Sequence, residues 1–236
     1  MSTEDLTARA QALWCGLAEA PVAFATTGMD VAVSPSSLLC PPGWVGIVAI
    51  GGAAIATAPD ERSVALVRKA LVGLSAGEVV DPDVIRKVLP VAKVLGPAAL
   101  AYVDADSFRP AGAEVTELDP RDPGILAMEA LAGEDEAGEA SLDDSTSPAF
   151  AVVREGAVAA ASGYRVWAGS TAHIGVLTAP EQRGRGLAKA AGSASTAHAL
   201  AAGLLPQWRA RIDASRSVAR ALGFSELGAQ LSVELG

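Results

Sequence analysis

Apolar residues recur at helical spacing through Leu6, Ala10, Leu13, Trp14 and Leu17, which predicts an amphipathic helix over about residues 4–19 with Thr3 as its cap. From Val22 to Ala56 the pattern changes to short apolar runs broken at Thr26-Thr27-Gly28, Ser34-Pro35-Ser36 and Pro41-Pro42-Gly43, the signature of strands joined by turns. Trp44–Ile50 and Ala53–Thr57 flank Gly51-Gly52 and predict a hairpin. Helical spacing returns over Asp60–Leu74, and Asp83–Leu89 predicts a shorter helix behind Pro82. Past Gly96-Pro97, Leu100–Val103 predicts a short strand.

Pro110, Pro120 and Pro123 stand among polar residues over 104–123 and mark a boundary. Residues 1–110 then form one α/β domain and residues 111–236 a second. In the second, Ile125–Leu131 predicts a short helix. Glu129–Ser147 is rich in Asp and Glu without Lys or Arg, and reads either as an acidic lip for a cationic substrate or as a solvated loop. Phe150–Arg154 and Ala157–Val166 alternate around Glu155-Gly156 as a hairpin. His173–Thr178 is a strand stopped by Ala179-Pro180, and Leu187 opens an alanine-rich helix. A strand through Trp208 and Ile212, a helix over Ala214–Leu222 closed by Gly223, and a strand over Gly228–Leu235 complete the chain. The class is α/β (α+β).

Half of the 236 residues are hydrophobic, enough for a sizeable core, and no apolar run reaches the 18 residues of a membrane span. The start, Met1-Ser2-Thr3-Glu4-Asp5, is acidic where a signal peptide is basic, so a cytoplasmic protein is expected. Cys15 and Cys40 are too few for a disulfide framework, and with two histidines at no ligand spacing no metal site is expected. The net charge of −9 opposes a nucleic-acid footprint and suits a small cationic substrate.

The chemistry concentrates between His173 and Ala188. A strand, a loop of Arg183-Gly184-Arg185-Gly186 and a helix beginning at Leu187 present unsatisfied amides and the positive end of a helix dipole. Glycines let the main chain approach a phosphate, and the arginines add charge. The stretch is built to hold an anion, most simply a pyrophosphate. It is not the dinucleotide fingerprint, because Lys189 occupies the third glycine position, and the P-loop pattern is absent.

The pattern Arg/Gln-x-x-Gly-x-Gly/Ala is filled by Arg183, Gly186 and Ala188, with Ile174–Pro180 before it and Leu222-Gly223-Phe224 after it. On these residues the chain, over about 113–236, resembles the GNAT superfamily of acyl-CoA-dependent N-acyltransferases. The resemblance implies the GNAT fold, a mixed central sheet flanked by helices, here preceded by an N-terminal α/β domain that completes the substrate wall. It implies acetyl-CoA as co-substrate, held by the backbone of Val176, Leu177 and Thr178 and by the loop Arg183, Gly184, Arg185, Gly186, Leu187 and Ala188. It also implies an amine acceptor, no membrane partner, and leaves room for a homodimer.

The family's tyrosine four residues before the Gly-Phe pair is Ala219 here, whereas a serine eight residues before that glycine is present as Ser215. The asparagine often found three residues before that serine is Ile212. Ser215 is therefore the expected group beside the sulfur, its alternative being a helix cap. His173 titrates in the range of a general base, its alternative being a structural histidine. Asp106, Glu117 and Asp119 are near the substrate side in sequence, and His198 is expected to be structural. Two other readings remain: a non-catalytic acyl-CoA-binding regulator, and a transferase drawing its acyl group from aminoacyl-tRNA, for which Arg209, Arg211, Arg216 and Arg220 would form a local basic patch.

Thr57-Ala58-Pro59-Asp60-Glu61-Arg62 echoes Thr178–Arg183, but Ser63, Val64 and Ala65 replace the glycines. A degenerate repeat and chance similarity are both open, and in either case no cofactor is expected in the first half.

Overall fold

The structure, a computed structural model, describes residues 3–25, 28–112 and 114–236. The expected turn residues Thr26 and Thr27, and Met1 and Ser2 of the acidic start, lie outside the described residues. The chain divides into two compact units, residues 1–101 with 226–236 and residues 102–225. The last strand thus packs with the first unit, whereas the sequence pattern groups it with residues 111–236.

In the first unit, α1 (Thr3–Leu17) buries Leu6, Ala10, Leu13, Trp14 and Leu17, the face its spacing predicts. After β1 (Met29–Val33), β2 (Val45–Ile50) and β3 (Ala53–Ala58) form the hairpin, with Ile50 paired to Ala53 across Gly51 and Gly52. Both glycines have positive φ, 63° and 83°, as a two-residue turn between twisted strands requires. Then come α2 (Glu61–Leu71), α3 (Pro82–Val88) and β4 (Val91–Tyr102). The sheet order is β1-β3-β2-β10-β4, with β10 at Ser225–Leu235. β1 is parallel to β3, and β2 is antiparallel to both β3 and β10. Ile47, Val45, Val67, Ile85 and Leu231 are fully buried in its core.

β4 is longer than the expected Leu100–Val103. Gly96-Pro97 reads as a break because proline lacks an amide donor, yet the strand continues through it. Gly96 is needed there, since a Cβ would come within 2.8 Å of the Gln230 carbonyl oxygen.

The second unit has the sheet order β9-β8-β7-β6-β5. β5 (Thr116–Leu118) precedes α4 (Pro123–Ala132) and α5 (Glu134–Ala140). β6 (Ala149–Arg154), β7 (Ala157–Trp167) and β8 (Thr171–Thr178) form an antiparallel meander. α6 (Leu187–Ala201) crosses over to β9 (Leu205–Ala210), which is parallel to β8, and α7 (Asp213–Ala221) follows.

Along β8 the side chains alternate between two covered faces. Leu177 joins Ile125, Met128, Ala140 and Leu142 on one. On the other, Ala160, the partner of Thr178, packs with Leu187 and Ala191 of α6. The acidic stretch is therefore no simple loop: it folds into α5 and a single 3₁₀ turn at Leu142–Asp144, anchored by buried Ala140 and Leu142. The architecture as a whole is mixed α/β, with helices flanking mixed sheet. No described helix is long and apolar enough to cross a membrane.

Candidate functional site

The pairing of β8 with β9 runs from Thr171↔Leu205 to Ile174↔Trp208 and stops there, while β8 continues to Thr178. From Gly175 onward β8 pairs with β7 through Gly163↔Gly175, Ser162↔Val176, Ala161↔Leu177 and Ala160↔Thr178. Because backbone groups on a strand point alternately to either side, the outer amides and carbonyls of this stretch face the gap left by β9. Val176 and Thr178 present these outer groups, whereas those of Leu177 are turned toward β7, in step with the Ala179 amide that donates to the Ala159 carbonyl, so the expected trio is met at two of its three positions. The Thr178 hydroxyl oxygen is buried and has no hydrogen-bond partner. A buried hydroxyl without a partner is costly.

The chain then turns through Pro180–Gln182 into the glycine-arginine loop. Gly184 and Gly186 both lie in the left-handed region, with φ of 75° and 76°, and a Cβ on either would meet nothing within 4 Å. Gly186 is the N-cap of α6 and provides no side-chain cap. The first helical hydrogen bond runs from the Ala190 amide to the Gly186 carbonyl, so Leu187, Ala188 and Lys189 have amides with no acceptor inside the helix. α2 shows the contrast: its N-cap Asp60 places a carboxylate on the Ser63 amide at 2.8 Å. The first unit fills its own helix terminus, whereas the loop at Gly186 leaves it open.

Arg183 lies on this loop. Its Nε donates to the Thr178 carbonyl at 3.4 Å, and its guanidinium pairs with Glu136 of α5. Arg185 is exposed. Arg211, just past the end of β9, pairs with Glu139 on the same helix, its Nε lying 3.2 Å from Oε1.

Ser215 is the third residue of α7 and not its cap, which is Ile212. The Trp208 indole N–H donates to the Ser215 hydroxyl oxygen at 2.9 Å. Trp208 is the last paired residue of β9, so this bond ties Ser215 to the point where the strands part. The ring of Trp208 lies against α6, where a Cβ on Gly192 would be 2.9 Å from it.

His173 occupies the opposite face. Its ring stacks on Trp167 with centroids 4.0 Å apart and planes 16° from parallel. Its Nδ1 is 2.9 Å from the Gln207 carbonyl oxygen Oε1, while Gln207 Nε2 donates to the Tyr102 hydroxyl at 3.0 Å. An amide oxygen only accepts, so Nδ1 carries the hydrogen and Nε2 keeps its lone pair. Burial lowers the pKa of His173 to about 3, helped by the nearby charges of Arg209 and Arg165 and opposed by the Gln207 bond. It stays a neutral imidazole at physiological pH.

The remaining residues singled out in the sequence lie elsewhere. Glu117 is on β5, separated from β8 by β6 and β7, and Asp119 accepts from the Arg121 amide in a turn. Asp106 is exposed in the loop after β4. His198 bonds the Tyr164 hydroxyl through Nδ1 at 2.8 Å on the face toward α6. Among the described residues, no cluster of three or more His, Cys, Asp and Glu could hold a metal ion. The residues the sequence does not reveal are Glu136, Glu139, Gln207 and Trp208, because each acquires its role only from a partner far away in the chain.

Parting parallel strands, a buried orphan hydroxyl and an uncapped helix terminus entered through glycines thus occur together along one stretch of the second unit. Residues 143–229 match the family model described as GNAT acetyltransferase, which supports a GNAT-superfamily domain in the C-terminal half. No curated protein matches the chain. Similar solved structures include a GNAT-family acetyltransferase from Colwellia psychrerythraea (16% identity, 62% of this chain and 59% of that one, TM-score 0.48). Another is a GCN5-related N-acetyltransferase from Kribbella flavida (20% identity, 65% and 63%, TM-score 0.49). A third is a GCN5-related N-acetyltransferase-like protein from Streptococcus suis (18% identity, 81% and 84%, TM-score 0.48). The first two matches span about three-fifths of the solved chain's length.

Proposed function

We propose that the second unit transfers an acetyl group from acetyl-CoA to a primary amine of a small molecule, by direct attack with both bound. The observation that carries the reading is the open N-terminus of α6 behind Gly186, continuous with the unpaired edge of β8. The fit to coenzyme A is specific in its parts. Amides of Leu187, Ala188 and Lys189, with Arg183 and Arg185, suit a diphosphate. The edge of Val176–Thr178 and the orphan Thr178 hydroxyl suit the amide-bearing arm.

When bound, acetyl-CoA supplies the acyl group as a thioester. The amine nitrogen forms a bond to the acyl carbon, the carbon–sulfur bond breaks, and the nitrogen gives up a proton. Ser215, held by Trp208 at the parting of the strands, is assigned to the sulfur side, where its hydroxyl hydrogen is free to serve the departing thiolate. His173 is assigned to the acceptor side. With a pKa of about 3 it retains a proton poorly, so Nε2 acts as a hydrogen-bond acceptor that holds the amine while water carries the proton away.

The weak base and Ala219 in place of a tyrosine also favour a second reading, a protein that binds acyl-CoA without turning it over. Thiol release from acetyl-CoA, followed with a panel of primary amines, separates the two. The transferase reading expects at least one amine to accelerate release and emerge acetylated. Tight acetyl-CoA binding with no acetylated product from any amine would contradict it.

A further inference from the structure

α5 is tied by ion pairs to the chain beyond β8 and beyond β9, the two strands whose parting the proposed cofactor would fill. Glu136 and Glu139 are three residues apart on this short helix and therefore share one face. Glu136 pairs with Arg183, which follows β8, and Glu139 pairs with Arg211, which follows β9. These are the two strands that separate beyond Ile174 and Trp208, so one helix is tied to both lips of the opening. The carboxyl end of α5 rests directly on β8: a Cβ at Gly175 would fall 2.0 Å from the Ala140 carbonyl oxygen. That contact is on the face of β8 shared with His173, the acceptor side.

We infer that α5 is a strap whose first turn is released when coenzyme A binds, because the diphosphate and the Glu136 carboxylate compete for Arg183. The inference rests on the coenzyme A reading of the loop and adds a regulation to it. Glu136 holds Arg183 through a single Nη while Nε faces the Thr178 carbonyl, so a phosphate that takes this edge of the guanidinium in a bidentate grip displaces the carboxylate. With Glu136 displaced, the strap stays hinged at Glu139–Arg211 and at the Ala140–Gly175 contact while its amino end swings clear. The acceptor side then opens only after the donor has bound, and Glu136 gains a free carboxylate facing an incoming ammonium. The Glu136–Arg183 pair is about half exposed on both sides, so it is a light latch and not a lock.

The test is a calorimetric titration of acetyl-CoA into the intact chain, its Glu136→Gln variant and its Asp135→Asn variant. Asp135 neighbours Glu136 on the same helix, and removing its charge controls for general repulsion of the anionic ligand. The strap predicts that Glu136→Gln binds about two- to fivefold tighter than the native chain, the range set by one exposed ion pair. Asp135→Asn should stay within about 1.5-fold, since screened charges at a distance contribute little. Equal affinities for Glu136→Gln and the native chain would overturn the strap and leave the coenzyme reading standing, as would an equal gain in Asp135→Asn. If all three chains melt normally and none binds acetyl-CoA, the coenzyme reading fails and the strap fails with it.

Discussion

His173 shows how far a residue's environment can move it from its usual role. In solution an imidazole exchanges its proton near pH 6.5, but here burial and two guanidinium groups hold it neutral down to about pH 3. The unfolded chain therefore takes up this proton first as pH falls, and stability is lost from about pH 6.5 downward toward 3. Thermal melts of the native chain should drop more steeply between pH 7 and pH 5 than those of His173→Gln, which has nothing to protonate. Parallel slopes would show that the histidine titrates normally. At the same scale, Gly186 and Asp60 make the clearest pair: one leaves a helix terminus bare and the other plugs it with a carboxylate. The sequence showed Ser63, Val64 and Ala65 in place of the glycines, but not that the Asp60 carboxylate caps the helix, which depends on its reach to the Ser63 amide. The orphan state of Thr178 was not legible either, because a hydroxyl reveals its lack of partners only when its neighbours are in place.

At the scale of elements, strands and helices with a strong period were readable, and those built on long-range support were not. α1 and the hairpin of β2 and β3 follow from spacing and from Gly51-Gly52. α5 could not be read, since EDEAGEA offers only two alanines for burial and its place depends on Arg183 and Arg211. Its seat on β8 needs glycine at position 175. Gly175→Ala should push the Ala140 carbonyl away and destabilise the protein by about 1–3 kcal/mol, the usual cost of overpacking. Hydrogen exchange should speed up in α5 more than in α4. Unchanged stability and unchanged exchange in α5 would mean that the helix is not seated there. The parting of β8 from β9 was implied by the family resemblance, not by the residues: nothing in Leu205–Ala210 marks Trp208 as the last paired position.

For the whole molecule, the two units share a pattern, a parallel strand beside an antiparallel pair: β1, β3 and β2 in one, β9, β8 and β7 in the other. In the first the parallel strand precedes the pair in the chain, and in the second it follows. The turn at Pro59 and the turn at Pro180 each lead from the middle strand of this trio into the next helical segment, so the echo in sequence has a counterpart in topology. Only one of the two helix termini is open. The first unit's lack of glycines was visible at once, and Asp60 supplies the physical reason it should hold no phosphate. The intact chain is therefore expected to take one coenzyme, not two.

That expectation and the role of the glycine loop are tested together by titrating acetyl-CoA into the native chain and into Gly186→Glu. A glutamate at this position must adopt a backbone with φ of 76° and sets a negative charge at the open end of α6. The account predicts one molecule bound per native chain and at least about a tenfold loss of affinity in the variant, a change of about 1.4 kcal/mol. Two molecules per chain, or undiminished affinity in a correctly folded Gly186→Glu, would contradict it.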